Sequence, residues 1–189
     1  MSKILITGGA GYVGAVLTPY LLSKGHKVTV IDLMIYGRDV LTAHPNLKII
    51  EGDIRNRNLL EDVLPNHDIV IHLACISNDP SFELNPNLGK SINLDAFSPL
   101  VEISRENKVK RFVYASSSSV YGDRIETPFK ESDSVDQPAS PYAATKSAGE
   151  LLCNSFNQIF GINISCLRYF TVYGPRQRPG MAIHRFCSL

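Results

Sequence analysis

The residues best equipped for chemistry are Tyr142 and Lys146, in "SPYAATKSAGELL" (residues 140–152). At i and i+4 they share one face of a helix. An ammonium there stabilises phenolate and lowers a tyrosine pKa from about 10 toward a base usable near neutrality. Ser140 as N-cap and Pro141 at the first helical position place Tyr142 in the first turn. Such a pair is by itself common and usually a surface pair, so its weight depends on its company. "SSSSVYG" (residues 116–122) offers a row of hydroxyls directly after an apolar run. "TGGAGYVG" (residues 7–14) spaces Gly8, Gly11 and Gly14 between an apolar run and a helical segment expected to start near Gly11. That arrangement gives a tight turn, close backbone approach to a pyrophosphate and a helix N-terminus for its charge.

Asp32 closes the next apolar run. A carboxylate there accepts hydrogen bonds from an adenosine ribose and repels a 2′-phosphate, favouring NAD over NADP; the plainer alternative is a turn cap. Arg38, downstream, could answer a 2′-phosphate. Asp53, after a third run, would serve the adenine or simply form a turn.

Positioning these residues requires a regular scaffold, and the hydrophobic pattern supplies one. "KILIT" (3–7), "KVTVID" (27–32), "LKIIEGD" (47–53), "DIVIHLA" (68–74), "RFVYAS" (111–116) and "NISCLRYF" (163–170) read as buried strands. Between them lie segments whose apolar residues recur every three or four positions, including one long helix over residues 85–108. Alternation of this kind predicts an α/β fold, a doubly wound parallel sheet of Rossmann type. Pro19 and Pro99 fall inside helical segments, where each removes a hydrogen bond and should kink the axis. Residues 121–140 are polar and aperiodic, the length of a functional lid or binding loop.

Composition narrows the function classes. With 19 basic and 18 acidic residues in 189, no global charge points to nucleic acid or an anionic membrane. The 44% apolar content suffices for one sizeable core. Cys75, Cys153, Cys166 and Cys187 show no metal-ligand spacing and read as reduced core thiols of a cytoplasmic protein, with no metal expected. No run is long enough to span a membrane.

The glycine segment, Asp32, "SSSSVYG" and Tyr142-xxx-Lys146 occur in that order, each at a strand end or helix start. Together they resemble the extended short-chain dehydrogenase/reductase family, specifically its NAD-dependent nucleotide-sugar epimerases and dehydratases, from residue 3 to about 183. The resemblance implies that Tyr142 is the acid/base, that Lys146 holds the nicotinamide ribose and tunes Tyr142, and that Ser117 hydrogen-bonds the sugar. It implies cofactor contacts from Gly8, Gly11, Tyr12, Val13 and Gly14 in the loop, and from Asp32, Asp53 and Ile54. "HLAC" adds Leu73, Ala74 and Cys75; Asn93, Ser116 and Tyr169 complete the set. Substrate contacts would come from Ser117, Ser118, Thr171, Arg176 and Arg178, the two arginines being equally readable as solvated loop residues.

The 4,6-dehydratase branch carries Asp-Glu after the catalytic hydroxyl; Ser118 and Ser119 stand there instead. The resemblance therefore points to C4 epimerisation of a UDP-hexose or UDP-hexuronate, with a uronate decarboxylase sharing the first step. It further implies an NAD-binding domain over residues 1–170 and only the start of a substrate region over 171–189, the smaller C-terminal substrate domain being largely missing. A truncated chain that binds NAD with weak or no turnover is the alternative expectation. A homodimer through the helices of residues 87–107 and 140–160, in a four-helix interface, is also implied.

Overall fold

The computed structural model describes residues 1–177 and 181–187. Six parallel strands form one sheet in the order β3-β2-β1-β4-β5-β6, with β1 Lys3–Thr7, β2 Lys27–Asp32, β3 Leu47–Glu51, β4 Ile69–His72, β5 Arg111–Ser117 and β6 Ile164–Tyr169. The order reverses direction beside β1, so the crevice between β1 and β4 opens at the carboxyl ends of the strands. The chain forms the expected doubly wound α/β sheet.

Side chains alternate across the sheet and build two cores. Ile4, Ile6, Val28 and Val30 face Leu22 of α1 (Gly14–Ser23), with Met34 and Leu41. Leu5, Ile31, Val70, Phe112 and Tyr114 face the other way, under α2 (Arg57–Val63), α5 (Phe97–Glu106) and α6 (Pro141–Phe160). Each fully buried side chain such as Phe97 or Leu100 contributes about 1.5–3 kcal/mol.

Several expectations need correction. The central strands are buried, but β3 and β6 are the sheet edges and stay partly exposed, because each has a strand on one side only. Helix α1 starts at Gly14 rather than near Gly11 and carries Pro19 inside it without a break. The single helix expected over residues 85–108 is divided. After α3 (Asp79–Glu83) come α4 (Pro86–Lys90), a wide π turn (Ser91–Asp95) and then α5. The π turn closes by Ala96 N–H donating to the Ser91 carbonyl at 3.1 Å. Pro99 explains its position: with no N–H to offer and a ring that crowds the preceding turn, it displaces the regular ladder just upstream.

Of the cysteines, only Cys153 is fully buried, and Cys187 is exposed on α7 (Ala182–Cys187), so its reading as a core thiol fails. No helix among the described residues is long and apolar enough to cross a membrane, and no metal-holding cluster occurs among them.

Candidate functional site

The glycine loop joins β1 to α1 at the crevice. Gly8 adopts φ +75°, and a Cβ there would lie 2.5 Å from the Ala74 backbone nitrogen. Gly14 is equally constrained, since its Cβ would come within 2.5 Å of the Gly9 backbone. Gly9, not among the expected residues, packs on Val30, where a Cβ would meet Cγ2 at 2.7 Å; its signal was the glycine pair directly after a strand. Gly11 differs: an added Cβ would meet only the Gly8 carbonyl, at 3.3 Å. The loop is therefore close-packed behind and open at Gly11, beside Tyr12 and Val13 and the first turn of α1. That is the shape an anionic diphosphate needs against free helix N–H groups.

Asp32 holds this loop in place. Its two carboxylate oxygens accept from Ala10 N–H at 2.9 Å and Met34 N–H at 2.8 Å. Each oxygen keeps a second lone pair, so the turn role and a ribose contact are compatible. Arg38 pairs with Glu51 at 2.7 Å, on the surface.

Asp53 folds back on its own turn, accepting from the Arg55 backbone N–H at 2.9 Å and pairing with the Arg55 guanidinium, which holds its carboxyl below the usual range. Asp53 thus forms the turn, one of its two expected roles, and the Ile54 side chain belongs to the core. Leu73 N–H donates to the Thr7 carbonyl at 2.9 Å, so "HLAC" lies along the loop as expected.

The second half of the site is made of side chains from three elements. Ser140 caps α6, accepting from Ala143 N–H at 3.1 Å, with Pro141 following as expected. Tyr142 and Lys146 point from this helix into the sheet and are both buried. Ser117, at the end of β5, accepts from Ser119 N–H at 3.2 Å and Ser119 Oγ at 2.9 Å. Its hydroxyl is also near enough to the Tyr142 phenol to favour the phenolate. Ser118 begins the short 3₁₀ turn that follows.

Burial, with Cys75 and Asp79 nearby, pushes Tyr142 up to about 12. This corrects the expected lowering by Lys146. The Lys146 ammonium instead donates to the Ala115 carbonyl at 2.8 Å and lies 5.2 Å from the centre of the Tyr114 ring. The interaction that does lower Tyr142 comes from Ser117.

Asn93 sits in the π turn, fully buried. It accepts from Ile76 N–H at 2.8 Å, donates to the Ile76 carbonyl at 3.0 Å and reaches Thr145 of α6 at 3.4 Å. It therefore clamps the segment after β4 against the helix that carries Tyr142.

A partly buried charged network went unrecognised in the sequence. Arg168 of β6 grips Glu150 of α6 with two hydrogen-bonded contacts, Nε to Oε1 at 3.0 Å and Nη2 to Oε2 at 2.8 Å. Its Nη1 donates to the Tyr121 hydroxyl and the Glu131 carbonyl, both at 3.1 Å. Ser116 donates to Glu150, so its hydroxyl is turned away from the loop side and toward this pair. The available signal was an acid and an arginine inside two apolar segments, since such charges are buried only in pairs. The network anchors residues 121–140, helped by Tyr121 stacked on Phe129 at 4.8 Å.

Tyr169 pairs with Ser117 in the sheet register and is half-buried, which raises its phenol. Thr171 and Arg176 are exposed, and Arg176 adopts φ +70°. Arg178 lies outside the described residues. An open cavity of about 400 Å³ lies away from Tyr142, over Glu150, Cys153, Cys166 and Arg168.

A doubly wound sheet with a glycine loop, an Asp at the end of β2 and a Ser–Tyr–Lys set at the strand ends has the form of a dinucleotide-binding fold. The model of the NAD dependent epimerase/dehydratase family matches residues 4–188, and the chain belongs to that family.

Among its relatives, UDP-glucuronate 4-epimerase 2 of Arabidopsis thaliana is 39% identical over 197 residues, covering 97% of this chain and 45% of the relative. The UDP-glucuronic acid 4-epimerase of Bacillus cereus, solved with UDP-glucuronic acid and NAD, superposes with a TM-score of 0.87 at 36% identity, covering 97% of this chain and 61% of that one. The dTDP-glucose 4,6-dehydratase DesIV of Streptomyces venezuelae, solved with NAD and TYD, gives 0.89 at 28% identity, covering 98% and 61%. The chain thus spans about half to three-fifths of the length of these proteins.

Proposed function

We propose that this chain carries the cofactor-binding and proton-transfer half of an NAD-dependent C4 epimerase of a nucleotide sugar, a UDP-hexose or UDP-hexuronate. The observation that carries the reading is Ser117 facing the buried Tyr142 phenol at the carboxyl end of the sheet, across from a loop shaped for a diphosphate. The fold does not separate epimerase from dehydratase, since proteins of both kinds superpose on it equally well. The residues after Ser117 do: Ser118 and Ser119 supply neither the strong acid nor the base that water elimination needs.

The glycine loop and Asp32 would hold the dinucleotide, and Lys146 the ribose nearest Tyr142. When bound, NAD supplies a hydride acceptor and donor, so C4 is oxidised and then reduced with no net redox change. Tyr142 takes the O4 proton and gives it back. Its pKa of about 12 suits the return step, and Ser117, by hydrogen-bonding the phenolate, makes the removal step accessible. Ser117 also orients O4. Around this centre we place an NAD-binding region over residues 1–170, the start of a substrate region after it, and a homodimer through α5 and α6. Free thiols in all four cysteines support a reducing, cytoplasmic setting.

The test is incubation of the chain with NAD⁺ and UDP-glucose or UDP-glucuronate, following the C4 epimer by proton NMR. Formation of the epimer, abolished in Tyr142→Phe with NAD binding retained, is the expected result. NAD binding without conversion in either protein would favour the second reading, a non-catalytic NAD-binding module.

A further inference from the structure

Beside Tyr142 lies a carboxylate with no assigned task. Asp79 opens α3, which packs against α6, and Phe82, one turn further on, tilts its ring over Tyr142 at 6.4 Å between centroids. Residues at i and i+3 share a helix face, so Asp79 and Phe82 address the tyrosine together. Asp79 Oδ1 is buried and makes no hydrogen bond. Asp79 is the first residue of the helix and plays no part in its cap, which is Asn78, accepting from Ser81 N–H at 3.0 Å. Asp79 acts on the Tyr142 phenol electrostatically, opposing its ionisation. A buried acceptor left unpaired costs stability, so its retention points to a donor that arrives from outside.

The chemistry of the sugar says what that donor is. With O4 between Ser117 and Tyr142, the neighbouring substituents are the C3 hydroxyl and the C6 group, both within a few ångströms of the phenol. In a hexose both are neutral hydroxyl donors. In a hexuronate the C6 group is a second carboxylate. Of the described cations in this half of the site, Lys146 donates to the Ala115 carbonyl and Arg168 pairs with Glu150.

We infer that Asp79 is a specificity-determining residue that accepts a hydrogen bond from a neutral hydroxyl next to C4 and discriminates against a sugar acid. The inference rests on the nucleotide-sugar reading above and sharpens it. It selects the hexose, although several relatives are named for UDP-glucuronate.

Equilibrium dialysis of the NAD-loaded chain against UDP-glucose and UDP-glucuronate tests it. Wild type should bind UDP-glucose more tightly, by on the order of tenfold, as two like charges in a partly buried site require. Asp79→Asn keeps an acceptor oxygen and loses the charge, so the ratio should fall close to unity, chiefly through tighter UDP-glucuronate binding. Asp79→Ser should do the same and serves if the Asn variant folds poorly. Phe82→Leu, which repacks the same helix without changing charge, should keep the wild-type ratio. Equal affinities in wild type, an unchanged ratio in both Asp79 variants, or a ratio lost equally in Phe82→Leu would each overturn the inference. Failure of both sugars to bind while NAD does would overturn the nucleotide-sugar reading itself.

Discussion

The two halves of the site are built from different materials. The glycine half is made of backbone and of missing Cβ atoms: Gly8 and Gly14 allow contacts with Ala74 and Gly9 that no larger residue permits. Its residues lie in one short segment plus Asp32. The tyrosine half is made of side chains drawn from β5, α6, β6 and the π turn between α4 and α5, and it contains the partly buried pair Glu150–Arg168. The first half shapes a diphosphate site from backbone, with Asp32 bracing the loop, whereas the second depends on how burial redistributes protons. Damage should therefore take different forms in the two halves.

The largest effect is expected at Tyr142. Tyr142→Phe should reduce conversion by about 10²- to 10⁴-fold, the usual worth of a positioned acid/base. Thermal melting should stay close to wild type; a large drop in melting temperature would show that the phenol serves the fold instead.

Next in size is the charged pair, whose side chains are only 17% and 10% exposed. Glu150→Ala should cost about 2–3 kcal/mol in urea unfolding, because the partly buried Arg168 is left without its partner and Ser116 loses its acceptor. A double-mutant cycle with Arg168→Met should recover much of that cost. A strictly additive cycle would mean that the two residues act separately.

Within the glycine half the expected contrast is internal. Gly14→Ala forces a Cβ into the Gly9 backbone and should cost about 2–3 kcal/mol. Gly11→Ala should leave stability within about 1 kcal/mol, since little stands near its Cβ, yet weaken NAD binding on the order of tenfold by occupying the approach to the loop. Paired denaturation and fluorescence titration read both quantities. Equal loss of stability in the two variants would break the distinction between a packed and an open glycine.

The smallest effect joins the halves. His72, at the end of β4, meets the Thr7 hydroxyl through Nδ1 at 2.6 Å and stacks on Phe97 and Tyr114. Burial, reinforced by Lys146, pushes its pKa down to about 3, so the folded protein keeps it neutral while the unfolded chain protonates it below about 6.5. Its contribution is complete above pH 6.5 and is lost progressively as pH falls toward 3. Between pH 6.5 and 5.5 the loss should be about 1 kcal/mol, and His72→Gln should remove that part of the slope in urea unfolding.

Much of this could be read from the chain. Strand, helix, strand alternation specified the parallel sheet, because the periods of two and of three to four residues reflect local geometry that tertiary contacts rarely reverse. The spacing of Gly8, Gly11 and Gly14 specified the loop for the same local reason. Gly9 escaped notice because its constraint, Val30, comes from the next strand. The continuous helix expected over residues 85–108 gave way at residues 91–95, upstream of Pro99, whose missing N–H is plain in the sequence while the place of the compensating turn is not. The edge positions of β3 and β6 follow only from the strand order.

The sequence alone determined the fold class, the cofactor loop and the hydroxyl, phenol and ammonium at the strand and helix ends, all set by short-range spacing. Tertiary structure decided what those groups experience. It placed Lys146 on the Ala115 carbonyl rather than in control of Tyr142, raised the phenol by burial, joined Glu150 to Arg168 and brought Asp79 beside the tyrosine. Burial and field are sums over neighbours distant in sequence, and no local pattern contains them.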